Sequence, residues 1–164
     1  MVVGLEVETI KTIPNQTLYQ TDYQAWVKET AKHLRAGNFA GLDVEAFIEE
    51  VESLGHSERH ALKFQWVRVI MHLLKLEAQP QAREYHNSWI SSVVNGLGQI
   101  ADALEDSPSL HGYLQENANK WYAQAVKEAS VETRLPLPSQ CPYDVLELIT
   151  GNYPEALRYF FIIE

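Results

Sequence analysis

The stretch from Leu62 to Leu76 constrains the fold more than any other part of the sequence, because its apolar residues surround a helix on most sides. These residues are Leu62, Trp66, Val67, Val69, Ile70, Met71, Leu73, Leu74 and Leu76. A helix that is apolar around most of its circumference is stable in water only when other elements cover it. The sequence therefore predicts that this helix lies at the centre of a packed domain.

Helical periodicity continues on both sides of this central helix. Apolar residues recur at spacings of three and four residues in four further segments: 23–34, 44–54, 90–104 and 110–129. Pro142 opens a shorter helix that reaches about Ile149 and is stopped by Gly151. No segment shows the alternating pattern of a strand. We therefore predict an all-α fold, a single-domain helical bundle of about five to six helices.

Two small residues precede the central helix and predict a turn. Gly55 follows the apolar segment 44–54, and glycine commonly ends helices. Ser57 is a good N-cap for a new helix. We interpret residues 43–76 as an antiparallel hairpin that forms the centre of the bundle. In this hairpin Arg68 lies beside Glu45, so that an acidic edge and a basic edge neutralise each other.

The composition along the chain predicts three parts. Residues 1–17 form an N-terminal arm, residues 18–151 the helical bundle domain, and residues 152–164 an apolar C-terminal tail. A capping box of Thr21 and Gln24 begins the first helix of the bundle. The tail contains the run "RYFFII", which is too apolar for a free terminus. It either folds back onto its own domain or covers another chain.

Charge and cysteine content limit the possible classes of protein. The chain has 22 acidic and 13 basic residues, a formal charge of −9, which disfavours nucleic acid as a partner. Cys141 is the only cysteine, so an intrachain disulfide and a cysteine-rich zinc site are excluded. The first residues do not resemble a signal peptide, and no apolar run is long enough to cross a bilayer. We predict a bacterial cytoplasmic protein.

Two pairs of carboxylates suggest metal chemistry. Glu49 and Glu52 form one pair, and Asp102 and Glu105 form another on a later helix. Acidic pairs on neighbouring helices bind magnesium in all-α nucleotide pyrophosphohydrolases, because carboxylates suit that hard cation. Exposed helix faces are usually charged for solubility alone. We therefore predict no metal and no cofactor, and we keep a metal-dependent hydrolase of nucleotide-like substrates as the alternative.

Two histidines near the predicted turn suggest a second kind of metal site. Glu52, His56 and His60 are each four residues apart, so an unbroken helix would stack them as ligands for zinc or iron. The turn expected at Gly55 argues against this arrangement. The default interpretation is a solvated surface.

A polar stripe on the central helix suggests anion binding. Arg68, His72 and Lys75 share one side of that helix. The alternative is a solvated polar edge on a buried helix, with His72 bonded to a neighbour. Cys141 has no histidine nearby in the sequence, so no nucleophilic site is predicted there.

Several of these segments, in this order and spacing, resemble a bacterial family. They are "YQTDYQAWVKETAKHLRAGNFAGLDVEAFIEEVESLG", "MHLLKLEAQP", "SWI", "LEDSPSLHGYL", "LP" and "CPYDVLELI". The chain is similar, from Tyr19 to Ile149, to the domain-of-unknown-function family numbered twenty-nine. The resemblance implies an all-helical domain without an assigned activity, and it carries over no catalytic residues.

The sequence contains no convincing catalytic constellation. We therefore predict a protein–protein interaction or self-association module that acts on a protein partner or on its own copy. Nucleic acid and membranes are not among the predicted partners.

Overall fold

The computed structural model describes residues 15–161, and it describes the side chains of these residues except those of 15–17, 155 and 156. This part of the chain contains seven α-helices and no strand, which confirms the all-α prediction. The helices are α1 (Asn15–Thr21), α2 (Tyr23–Arg35), α3 (Val44–Ala78), α4 (Arg83–Asp106), α5 (Leu110–Thr133), α6 (Val145–Ile149) and α7 (Glu155–Phe161). A short 3₁₀ helix, Phe39–Gly41, precedes α3.

Helix α3 runs without interruption from Val44 to Ala78, so the predicted hairpin at 43–76 is wrong. Gly55 lies inside the helix, and the glycines with positive φ in the described chain are Gly37 and Gly151. Glycine inside a helix costs only about 1 kcal/mol relative to alanine, which is too little to end a helix that continues on both sides. Without a turn, the predicted pairing of Arg68 with Glu45 loses its basis.

The chain divides into two compact units at the boundary between Gly55 and His56. We call their described parts, 15–55 and 56–161, the N-terminal unit and the C-terminal unit. The predicted division into arm, bundle domain and tail stays a prediction. Most of the predicted arm, residues 1–14, lies outside the described residues, and residues 15–17 open α1.

The N-terminal unit has a small aromatic core around Trp26, which is 3% exposed. The ring of Tyr19 lies 4.8 Å from that of Trp26, and the ring of Tyr23 lies 5.6 Å from it. The carboxylate of Asp22, and not the predicted capping box of Thr21, caps α2 by accepting a 3.0 Å hydrogen bond from the amide of Ala25. The cap therefore lies one residue later than the sequence pattern indicated.

The C-terminal unit contains the main hydrophobic core, and the second half of α3 supplies much of it. Trp66, Ile70, Leu73 and Leu74 are 0% exposed. They pack with buried residues of α4, α5, α6 and α7, among them Val93, Ile100, Leu114, Leu148 and Leu157. The prediction of a central apolar helix is confirmed for this half of α3.

Helices α3 and α4 approach closely at Gly96. A Cβ atom built on Gly96 would lie 2.6 Å from Cγ2 of Val69, closer than real Cβ contacts allow. The glycine therefore permits the contact between the helices, although it lowers the intrinsic helix propensity of α4. Gly98, two residues later, has open space at the same position.

The C-terminal tail, as far as it is described, folds back onto its own unit. Leu157 of α7 is fully buried, and Phe160 and Phe161 are half-buried against the core. Residues 162–164 lie outside the described chain. The described residues of the tail therefore follow the first predicted alternative, in which the tail folds back onto its own domain.

Candidate functional site

The first half of α3 is unusually exposed for a helix with apolar periodicity. Every residue from 51 to 61 is exposed. The exposed side of the helix in the N-terminal unit alternates apolar and acidic side chains, and we call it the acidic face: Val44, Glu45, Ile48, Glu49, Val51 and Glu52. Its three apolar residues are 45–51% exposed, and Leu54 beside it is 68% exposed. The predicted apolar stripe of this segment is therefore largely uncovered.

Two tyrosines hold the carboxylates at the back of this face. The hydroxyl of Tyr19 donates a 2.9 Å hydrogen bond to Glu50 and a longer one, 3.5 Å, to Glu49. The hydroxyl of Tyr23 also donates to Glu50, at 2.9 Å. The hydrogen bond to Glu50 is the main reason why the pKa of Tyr19 is raised to about 12. The tyrosines therefore fix α3 against α1 and α2, while Glu49 keeps an exposed side chain.

A shallow groove with a volume of about 260 Å³ lies between α3 and α5 in the C-terminal unit. We call it the basic groove. Its residues are His60, Lys63, Phe64, Val67, Arg68, Met71, His72, Gln124 and Glu128. The floor is apolar, and Phe64 remains 56% exposed. Lys63 and Arg68 outnumber the one carboxylate, Glu128, so the groove is locally positive on a chain with an excess of acid.

The three predicted anion-binding residues do not act together. Arg68 and His72 both line the basic groove. Lys75 is buried, forms an ion pair with Glu132, and lies 4.8 Å from the centre of the Trp89 ring. Its charge is therefore already matched within the protein.

His72 also uses one of its ring nitrogens for a hydrogen bond within its own helix. Its Nδ1 atom lies 2.7 Å from the carbonyl oxygen of Arg68, so Nδ1–H donates to that carbonyl. Burial lowers the pKa of His72, which makes the ring neutral at pH 7. Arg68 is the candidate that keeps a charge in the groove.

The four candidate carboxylates are all exposed. Glu49 and Glu52 belong to the N-terminal unit, and Asp102 and Glu105 belong to the C-terminal unit. Across residues 15–161, no group of three or more His, Cys, Asp or Glu side chains is placed to hold a metal ion. This applies equally to Glu52, His56 and His60, although the helix through them is unbroken.

The surroundings of Cys141 indicate a structural role for this residue and not a catalytic one. Its thiol is half-buried and donates to the carbonyl oxygen of Tyr143 at 3.5 Å, and burial raises the pKa of the thiol. Tyr143 in turn donates a 2.9 Å hydrogen bond to Glu77 of α3, and Tyr122 donates to the carbonyl of Pro138 at 2.7 Å. These bonds attach the segment between α5 and α6 to the core, and a thiol with a raised pKa is a poor nucleophile.

Sequence reasoning missed two features of these surfaces. It did not connect Tyr19 and Tyr23 with Glu50, because nothing in the pattern of α1 and α2 indicates where their hydroxyl groups bond. It also left out Phe64, although a signal was present. Phe64 lies outside the buried side of the central helix and directly follows the charged Lys63, so the sequence places it on the side of the helix that faces solvent.

None of the helices in the described chain combines the length and the apolar content that a membrane span requires. No curated protein and no solved structure matches the chain. One family model does match, that of the domain of unknown function DUF29, over residues 18–154. This range covers most of the sequence and includes both surfaces described above. The chain therefore belongs to the DUF29 family.

Proposed function

We propose that this protein is a protein–protein interaction or self-association module. The observation that carries this proposal is the acidic face, where apolar side chains at helical spacing remain about half exposed. Contiguous exposed apolar groups rimmed by polar residues are typical of interaction surfaces. A partner that covered Ile48 and Val51 would bury them as the core buries the second half of α3.

The same helix offers a second argument. The exposed stretch 51–61 contains Ser53, Gly55 and Ser57, which have low or moderate helix propensity. Glu58 accepts a 3.3 Å hydrogen bond from Ser107 and Arg59 lies 5.3 Å from the centre of the Tyr113 ring, yet every residue of the stretch stays exposed. Isolated helices of this length are marginal in water, because most helical stability comes from packing. A bound partner would supply that packing.

The proposal is tested with a variant that removes the apolar groups and keeps the charge, Ile48→Ser with Val51→Ser. Val94→Ser with Val131→Ser is the control, since these two residues are equally or more exposed on α4 and α5. Proteins captured from the native cell, this protein's own copies included, are quantified by mass spectrometry. We expect specific capture to fall at least about fivefold for the first variant and to be unchanged for the control. Equal capture by all three proteins would contradict the proposal.

The alternative, a metal-dependent hydrolase of nucleotide-like substrates that uses Glu49, Glu52, Asp102 and Glu105, is not favoured by a specific observation. It is tested by thermal unfolding with magnesium, manganese and zinc, because an ion that binds only the native state must raise the melting temperature. A cytoplasmic location and the exclusion of nucleic acid as a partner belong to the same proposal, and they rest on the charge of −9 and the single cysteine.

A further inference from the structure

We propose that the acidic face of one chain docks into the basic groove of a second copy of the same chain. This inference rests on the proposed function and names the partner. The two surfaces are complementary in charge: the face carries Glu45, Glu49 and Glu52, and the groove carries Lys63 and Arg68. Glu128 is the one carboxylate in the groove, so the groove stays basic.

The two surfaces are also complementary in their apolar groups. The face offers Val44, Ile48 and Val51, and the floor of the groove offers Phe64, Val67 and Met71. Both sets recur at spacings of three and four residues, which is the pattern of helices that pack side by side. The face is a helix with one apolar stripe, and the shallow groove between α3 and α5 has an apolar floor. Helix-in-groove docking uses such anchors.

A second copy fits better than an unrelated protein, because the chain itself exposes both halves of the contact. Each copy has one face and one groove, so two equivalent contacts are available to a pair of chains, and the dimer of this proposal uses both. The contact places the three carboxylates of the face opposite Lys63 and Arg68 on a chain whose formal charge is −9, and this lowers the repulsion between acidic copies. It also covers apolar side chains that the rest of the described chain leaves in water.

The test uses two charge-swap variants of the full chain. The first is Glu45→Lys, Glu49→Lys and Glu52→Lys, which makes the face basic. The second is Lys63→Glu and Arg68→Glu, which makes the groove acidic. Sedimentation velocity over a range of concentrations gives the dissociation constant of self-association, and circular dichroism checks that each variant keeps its helices.

Each variant alone places like charges opposite each other in both contacts of the dimer. We expect its dissociation constant to rise at least about tenfold above that of the wild type. An equimolar mixture of the two variants restores opposite charges in both contacts, so we expect a heterodimer whose dissociation constant lies within about threefold of the wild type. Restoration by mixing is a result that simple damage to either variant would not produce.

The control is Glu84→Lys, Glu116→Lys and Glu147→Lys, which changes the net charge as the first variant does at exposed positions outside both surfaces. We expect it to associate at least as tightly as the wild type, because it lowers the overall negative charge. A wild type that stays monomeric at all concentrations would overturn the inference, and so would a mixture that fails to associate. Neither result would contradict the proposed function, because that proposal is tested separately by the capture experiment with Ile48→Ser and Val51→Ser.

Discussion

The two halves of α3 have similar sequence patterns and opposite surroundings. Ile48 and Val51 in the first half are 45% and 51% exposed, whereas Ile70 and Leu73 in the second half are 0% exposed. Both pairs recur at helical spacing. Periodicity therefore shows which side of a helix is apolar, and it does not show whether the same chain covers that side. The uncovered half is the part for which we propose a partner.

The largest expected difference between the halves is in the cost of shortening a leucine. Leu73→Ala should lower the free energy of unfolding by about 2–5 kcal/mol, because it leaves a cavity in the core. Leu54→Ala is the matched change in the first half, where the side chain is 68% exposed, and we expect it to alter stability by no more than about 0.5 kcal/mol. Urea denaturation followed by circular dichroism measures both. Comparable losses would show that the first half is buried after all.

A smaller effect is expected where the second half of α3 meets α4. Gly96→Ala places a methyl group 2.6 Å from Cγ2 of Val69, and the resulting overpacking should cost about 1–3 kcal/mol. Gly98→Ala is the control in the same helix, where nothing lies within 4 Å, and alanine should stabilise the chain by about 0.5–1 kcal/mol. The same denaturation experiment separates the two. Stabilisation by both substitutions would mean that α3 and α4 do not approach closely at this point.

Gly55 lies at the boundary between the two units, and its replacement tests whether the helix continues there. A Cβ atom at this position would meet nothing within 4 Å, so Gly55→Ala should raise the free energy of unfolding by about 0.5–1 kcal/mol through the better helix propensity of alanine. In the hairpin that the sequence predicted, a stop glycine would adopt a left-handed conformation, and alanine would destabilise it. Thermal melts of the variant and the wild type show whether the substitution raises or lowers stability. A lowered melting temperature would favour the turn.

The smallest effect concerns the tyrosines behind the acidic face. The pKa of Tyr19 is raised from its ordinary 10 to about 12, first by its hydrogen bond to Glu50, so the folded chain holds this proton more tightly than the unfolded chain. The resulting stability is complete below pH 10 and is lost as the pH rises toward 12. Tyr19→Phe removes it, so the difference in stability between wild type and variant should shrink across this window. A difference that stays constant would mean that the hydroxyl does not bond to Glu50.

The sequence predicted the parts of the fold that depend on local patterns and on the amount of apolar surface. The all-helical class and the buried second half of α3 follow from an apolar arc that is too wide to leave in water. Local chemistry also explains the connection between α2 and α3, where Gly37 has a positive φ and the carboxylate of Asp43 accepts a 3.2 Å hydrogen bond from the amide of Ala46.

The hairpin was predicted wrongly because glycine is compatible with two states. Gly55 can end a helix or lie within one, and the choice depends on a difference of about 1 kcal/mol that neighbouring residues outweigh. Of the three predicted anion-binding residues, Arg68 and His72 line one groove and Lys75 does not, and the sequence could not show this for a different reason. The sequence shows that Arg68, His72 and Lys75 share a side of α3, but not that Glu132 of α5 neutralises Lys75. Pairing between distant residues depends on tertiary packing.

The central claim is that α3 passes through Gly55 as one helix whose acidic face the rest of the described chain leaves exposed. The ¹³Cα chemical shifts of residues 53–57 test it most directly, since they report the backbone conformation residue by residue. We expect helical shifts through Gly55 and Ser57, continuous with those on either side. Shifts typical of a turn at Gly55, followed by a new helix start at Ser57, would contradict the account.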